Sequence, residues 1–129
     1  MDLTEKKIGK IVDKIINSYN TQIVIYKELQ LIVQKILGKL ALCGGDIGSV
    51  MGMFTEKQQL LEKTIKYRED IKDELLFWSS QKDKPENEIY SKKLDAVLAL
   101  VEREIGNFIR LEDQLQFYFK DDFGESKHV

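Results

Sequence analysis

The chain has 129 residues, 43% of them hydrophobic and 33% charged, with 20 basic and 22 acidic residues and a net charge of −2. That balance describes one folded helical domain, and its interspersed charges exclude the clustered basic surface that nucleic acid requires. A single cysteine, Cys43, excludes an internal disulfide, and no stretch approaches the roughly 18 apolar residues of a membrane span.

The opening MDLTEKKIGK is charged, and no apolar run long enough for a signal peptide follows it. A cytoplasmic protein is expected. A first helix is expected over about 4–42. Ile8, Val12, Ile15, Tyr19, Tyr26, Leu29, Val33, Ile36 and Leu40 recur at steps of three and four, with Gln22 filling the one gap. That is a heptad seam. Ile11, Ile16, Ile23, Ile25 and Ile32 flank it and widen the apolar face enough for burial between two neighbours. The β-branched residues between Gln22 and Val33 make a strand the local competitor, but the seam runs on unbroken and favours helix. Asn17-Ser18 is the candidate kink.

Gly44-Gly45-Asp46 follows. Glycine closes a helix C-terminus in the left-handed conformation, and aspartate accepts hydrogen bonds from the first amides of the next helix. So short a link forces a reversal. The second helix is expected over about 47–80, with Ile47, Met51, Phe54, Gln58, Leu61, Ile65, Arg68, Ile71, Leu75 and Trp78 on its seam. Gly48 and Gly52 would at most let a neighbouring helix approach closely near the loop. Lys84-Pro85 marks the next turn, since proline suits a helix's first turn and disfavours helix in the residue before it. The third helix is expected over about 86–120, with a seam of Tyr90, Leu94, Val97, Val101, Ile105, Phe108, Leu115 and Phe119; residues 121–129 read as a frayed tail. The expected fold is all-α, a single domain folded as an elongated up-down-up antiparallel three-helix bundle with coiled-coil-like packing.

Catalytic machinery is not visible. The only histidine, His128, is next to last in the chain. Glu-x-x-His pairs, four-residue zinc sets and phosphate-binding glycine motifs do not occur. Cys43 has no histidine close in sequence to activate it, and Asp121-Asp122 reads as a solvated acidic pair. Neither an enzyme nor a cofactor is expected.

What stands out is apolar surface beyond the needs of a three-helix core. Leu75 to Trp78 (LLFW) and Leu115 to Phe119 (LQFYF) place large side chains on successive helical positions. Such positions differ by about 100°, so each cluster wraps more than one face. The up-down-up order returns Phe117, Tyr118, Phe119 and Phe123 to the end that holds Met51, Met53 and Phe54. A methionine and aromatic cluster there suits helix-in-groove recognition. The competing reading is that these residues cap the core or join a homodimer.

The stretch LALCGG followed by GDIGSVMGMFTEKQQLLEKT resembles the FlgN family of flagellar type III export chaperones. The residues that carry the resemblance are Gly45, Asp46, Ile47, Thr55, Glu56, Lys57, Gln58, Leu60 and Leu61. It implies a small helical cytosolic protein that binds the C-terminal helical segments of hook-associated proteins. Such a protein prevents their premature assembly and delivers them to the flagellar export gate. It also implies binding through the C-terminal region, which here holds Leu115, Phe117, Tyr118, Phe119 and Phe123, with Tyr118 as the tyrosine for gate docking. A FliT-like chaperone of the filament cap and a non-flagellar coiled-coil adaptor are the alternatives.

Overall fold

The computed structural model describes residues 3–42 and 47–119. Every secondary-structure element among them is helical: α1 (Leu3–Leu42), a 3-10 turn (Ile47–Val50), α2 (Met51–Asp70), α3 (Lys72–Gln81), a 3-10 turn (Pro85–Asn87) and α4 (Glu88–Phe119). Cys43, the Gly44-Gly45-Asp46 turn, Phe123 and the rest of the tail lie outside the described residues.

The first helix runs unbroken for 40 residues, roughly 60 Å. Its β-branched stretch costs at most about 0.7 kcal/mol per residue in helix propensity. Burying one large aliphatic side chain returns about 1.5–3 kcal/mol, and Ile25, Leu29, Ile32, Val33 and Ile36 are all buried. Packing therefore decides for helix.

Contacts along α1 give the directions of the others. Lys14 meets Glu74, Ser18 meets Tyr67, and Leu40 shares a core with Val50, so α2 and α3 run against α1. Gly9 faces Tyr90, Gln30 meets Glu104, and Leu40 meets Tyr118, so α4 runs with it. Gly9 has a packing role: a Cβ there would lie 3.3 Å from the Tyr90 hydroxyl.

Two apolar cores lie along α1. One gathers Ile8, Val12 and Ile15 with Ile71, Trp78 and Leu94. The other gathers α1 residues from Ile25 to Leu40 with Val50, Leu60, Phe108 and Leu115. Buried Ser18 and Gln22 separate them.

Two sequence expectations are corrected. The kink does not fall at Asn17-Ser18. It falls in the facing chain, where the expected single helix over 47–80 divides at Ile71 and its start is a 3-10 turn. Ile71 adopts φ −109° and ψ 11°, and its amide bonds to the Glu69 carbonyl. Neither glycine nor proline marks the break. The Ser18 hydroxyl donates to the Tyr67 carbonyl (3.0 Å), the group that the Ile71 amide would pair with in an unbroken helix. Gln22 Nε2 in turn donates to the Ser18 hydroxyl (3.1 Å).

The second correction concerns register in the first part of the expected seam. Its members Ile71 and Trp78 are buried as expected, but Met51 and Ile65 are exposed, while Val50 and Thr64 are buried and Lys57 is half-buried. The inward line is thus 50–57–64–71–78, one position away from the line through Met51, Gln58 and Ile65. Polar side chains tolerate this line because they are satisfied where they stand. Thr64 donates to the Leu61 carbonyl (2.7 Å) and Lys57 pairs with Glu112 (2.6 Å).

The turn into α4 follows the proline argument. Lys84 is extended before Pro85. Buried Asn87 donates from Nδ2 to the Gln81 carbonyl (2.8 Å), satisfying a carbonyl at the α3 terminus.

Candidate functional site

The residues singled out at the C-terminal end do meet, but they divide into an inner and an outer set. The Phe54 and Phe119 rings lie 5.9 Å apart, and Phe119 meets Tyr118 edge-on at 6.0 Å. Met53, Phe54, Tyr118 and Phe119 are partly buried against the core around Leu40. The Tyr118 hydroxyl donates to the Leu40 carbonyl (3.2 Å), one of the terminal α1 carbonyls that lack a helical donor. The largely buried Lys57–Glu112 pair ties α2 to α4 at this end, with the Lys57 ammonium also 5.5 Å from the centre of the Phe54 ring.

Leu115 is not available as a surface anchor. It is 2% exposed, because its seam position turns it onto the core that α1 shares with Phe108. The outward members are Phe117, 63% exposed, and Met51, 55% exposed. Sequence reasoning missed Leu42 and did not place Ile47 on the surface; both are exposed where α1 ends and α2 begins. Gly52 has open space where a Cβ would stand, so it does not admit a close helix neighbour.

A second apolar surface follows from the register of α2. Turning Val50, Thr64 and Ile71 inward turns Ile65 and Leu76 outward. Ile65 is 48% and Leu76 64% exposed. With Leu75, Arg68, Glu69 and Lys72 they line a cleft of about 530 Å³ across the α2–α3 joint. The LLFW cluster is therefore divided like the LQFYF cluster. Trp78 is buried, Phe77 lies under the Lys7 ammonium (5.1 Å to the ring centre), and Leu76 faces solvent. The signal that could have found this surface was the exact heptad spacing of positions 50, 57, 64, 71 and 78, obscured by lysine and threonine at two of them.

A smaller cleft of about 210 Å³ lies where α1, α3 and α4 meet, over Ile15, Leu75, Trp78 and Leu94, with Tyr19 at its wall. Burial raises the Tyr19 phenol above its ordinary value of 10.0, and the nearby Glu102 carboxylate adds to the shift. The phenol stays protonated and neutral through the physiological range.

Among the described residues no group of three or more histidine, cysteine, aspartate or glutamate side chains could hold a metal ion, and no helix is long and apolar enough to cross a membrane. What the chain offers is apolar side chains aimed at solvent from a rigid helical frame. Compared with models of protein families, with curated proteins and with solved structures, the chain finds no match in any of the three.

Proposed function

We propose that the chain is a cytosolic export chaperone of the FlgN type. It would hold the C-terminal helical segments of hook-associated proteins, keep them from assembling early and pass them to the flagellar export gate. In this reading α2 and α3 form one bent arm, and the helices make an elongated up-down-up three-helix bundle with coiled-coil-like packing. The observation that carries the reading is the exposure of Phe117 and Met51 on the two helices whose Phe119 and Phe54 rings meet at one end of the molecule. Large apolar side chains left in water on a frame whose neighbours are already packed are anchors for a partner. A partner segment that orders on binding loses chain entropy, which keeps affinity moderate and release feasible.

Calorimetric titration of the protein with C-terminal segments of the host's hook-associated proteins and filament-cap protein tests this. Saturable binding of the hook-associated segments, weakened by Phe117→Ser with helicity unchanged, is the expected result. Phe119→Ser is the contrasting variant, because its ring packs on Phe54 and its loss lowers thermal stability as well. Binding of the cap segment alone moves the assignment to the FliT-like chaperone. A tight dimer that binds neither segment makes the chain a coiled-coil adaptor.

A further inference from the structure

We propose that the cleft on the outer face of the α2–α3 joint is a docking groove for an amphipathic partner helix that carries acidic residues between two apolar anchors. The inference rests on the partner-holding reading above, but it places an anchor site away from the C-terminal aromatic end.

The groove is a stripe running across the α2–α3 joint from Ile65 to Ser79, a contour of at most roughly 21 Å, about four turns of helix. Its apolar groups sit towards its two ends, Ile65 at one and Leu75 with Leu76 at the other. Arg68 and Lys72 lie between them, one helical turn apart, with Glu69 the one carboxylate among the lining residues. Neither Arg68 nor Lys72 forms an ion pair among the described residues. Arg68 does donate from Nε to the Thr64 carbonyl (3.4 Å), a bond that leaves its other guanidinium donors without a protein partner among the described residues.

That order of groups selects the occupant. Apolar anchors separated by a contour of at most about 16 Å match residues up to eleven positions apart on one face of a partner helix. The two central cations select carboxylates between those anchors, and like charge there is repelled. A second copy of this chain fits less well, since a two-fold contact of this face would set four cations against two carboxylates. A lipid surface also fits less well, since the apolar groups are few and are separated by the cations and by Glu69.

The test uses the full chain and two synthetic helical peptides. Both carry leucines at that spacing; one has glutamates between them and the other has lysines. Methyl NMR shifts of Ile65 and Leu76 and fluorescence anisotropy report seating and affinity. The glutamate peptide should bind at least about tenfold more tightly than the lysine peptide. Leu76→Ser and Ile65→Ser should each weaken it about tenfold with circular dichroism unchanged. Arg68→Glu with Lys72→Glu should reverse the preference. Equal binding of the two peptides, or binding indifferent to these variants, overturns the proposal. So does a sedimentation dimer abolished by Leu76→Ser, which would make the groove's occupant a second copy.

Titrating hook-associated segments against the same variants separates the two proposals. If Phe117→Ser weakens those segments and the groove variants do not, the chaperone reading stands and the groove falls. If no such segment binds while the glutamate peptide still seats on the groove, the groove stands and the chaperone reading falls.

Discussion

Ser18 on α1 donates its hydroxyl to the Tyr67 carbonyl on α2, 3.0 Å away and 49 positions along the chain. The bond joins a buried polar side chain to a backbone group at the place where α2 gives way to α3. Gln22, 1% exposed, completes a relay by donating to the same hydroxyl.

Removing the relay's centre leaves the buried Gln22 amide and the part-buried Tyr67 carbonyl without this partner. Ser18→Ala should lower stability by about 1–3 kcal/mol, chiefly because the Gln22 amide loses a bond that water cannot readily replace. Chemical denaturation with an unchanged slope is the measurement. No loss of stability would mean that the break at Ile71 is held by apolar packing alone.

Glu104 supplies a second test. The residue is 5% exposed, and its Oε1 accepts from the amides of Gln30 (3.4 Å) and Asn107 (3.5 Å), with no ion pair among the described residues. A carboxylate in a mostly buried position with no cation beside it is hydrated less well than in water, and a neutral group of the same shape keeps the Oε1 acceptor. Glu104→Gln should therefore raise stability by about 1 kcal/mol at pH 7, read as a higher melting temperature. A lower one would reveal a cation bound to this carboxylate.

The Lys14–Glu74 pair (2.9 Å) gives a pH signature. The hydrogen bond from Lys14 holds the Glu74 carboxyl below its ordinary value of 4.5, and the same bond raises the Lys14 ammonium above 10.5. A lowered carboxylate stabilises the fold above its unfolded value, and that contribution is lost as pH falls through the folded one. The raised ammonium contributes below its unfolded value and loses that contribution as pH rises through its folded one. The melting temperatures of wild type and Glu74→Gln should thus differ at neutral pH and converge at both extremes. The difference should be small, because the pair faces solvent. A difference that persists in strong acid would assign it to helix packing.

Glycines inside helices test packing from the opposite side. A Cβ at Gly38 or Gly106 meets nothing within 4 Å. Alanine at either should raise stability by about 0.5–1 kcal/mol through reduced freedom of the unfolded chain. Gly9→Ala should give less or reverse sign, since the Tyr90 hydroxyl would have to move. Equal gains at all three positions in thermal melts would show that α4 is not held close to α1 at that point.

The seam of α1 was legible in the sequence because its residues are apolar at nearly every inward position, and Gln22, its one polar member, is indeed buried. The third expected helix was legible for the same reason, from Leu94 to Phe119. Less of α2 could be read. Its inward line passes through Lys57 and Thr64, while Met51 and Ile65 advertise the neighbouring line. A pattern of hydrophobicity alone chooses the wrong flank when polar groups find partners inside. The break at Ile71 could not be read locally either, since the hydroxyl beside it comes from α1. The meeting of Phe54 with Phe119 followed from the order of helices, but the division into inner Leu115 and outer Phe117 depended on rotation about α4, which successive large residues leave ambiguous.

The polar interval at Ser18 and Gln22 means that the apolar contacts of the molecule fall into two sets with few members in common. Val12 and Trp78 share no cluster with Ile36 and Phe108, and of the long helices α1 and α4 run unbroken through both. Cooperativity therefore need not span the whole length. One end can open while the other keeps its amides shut to exchange, with α1 and α4 the springs that carry the remaining order between them.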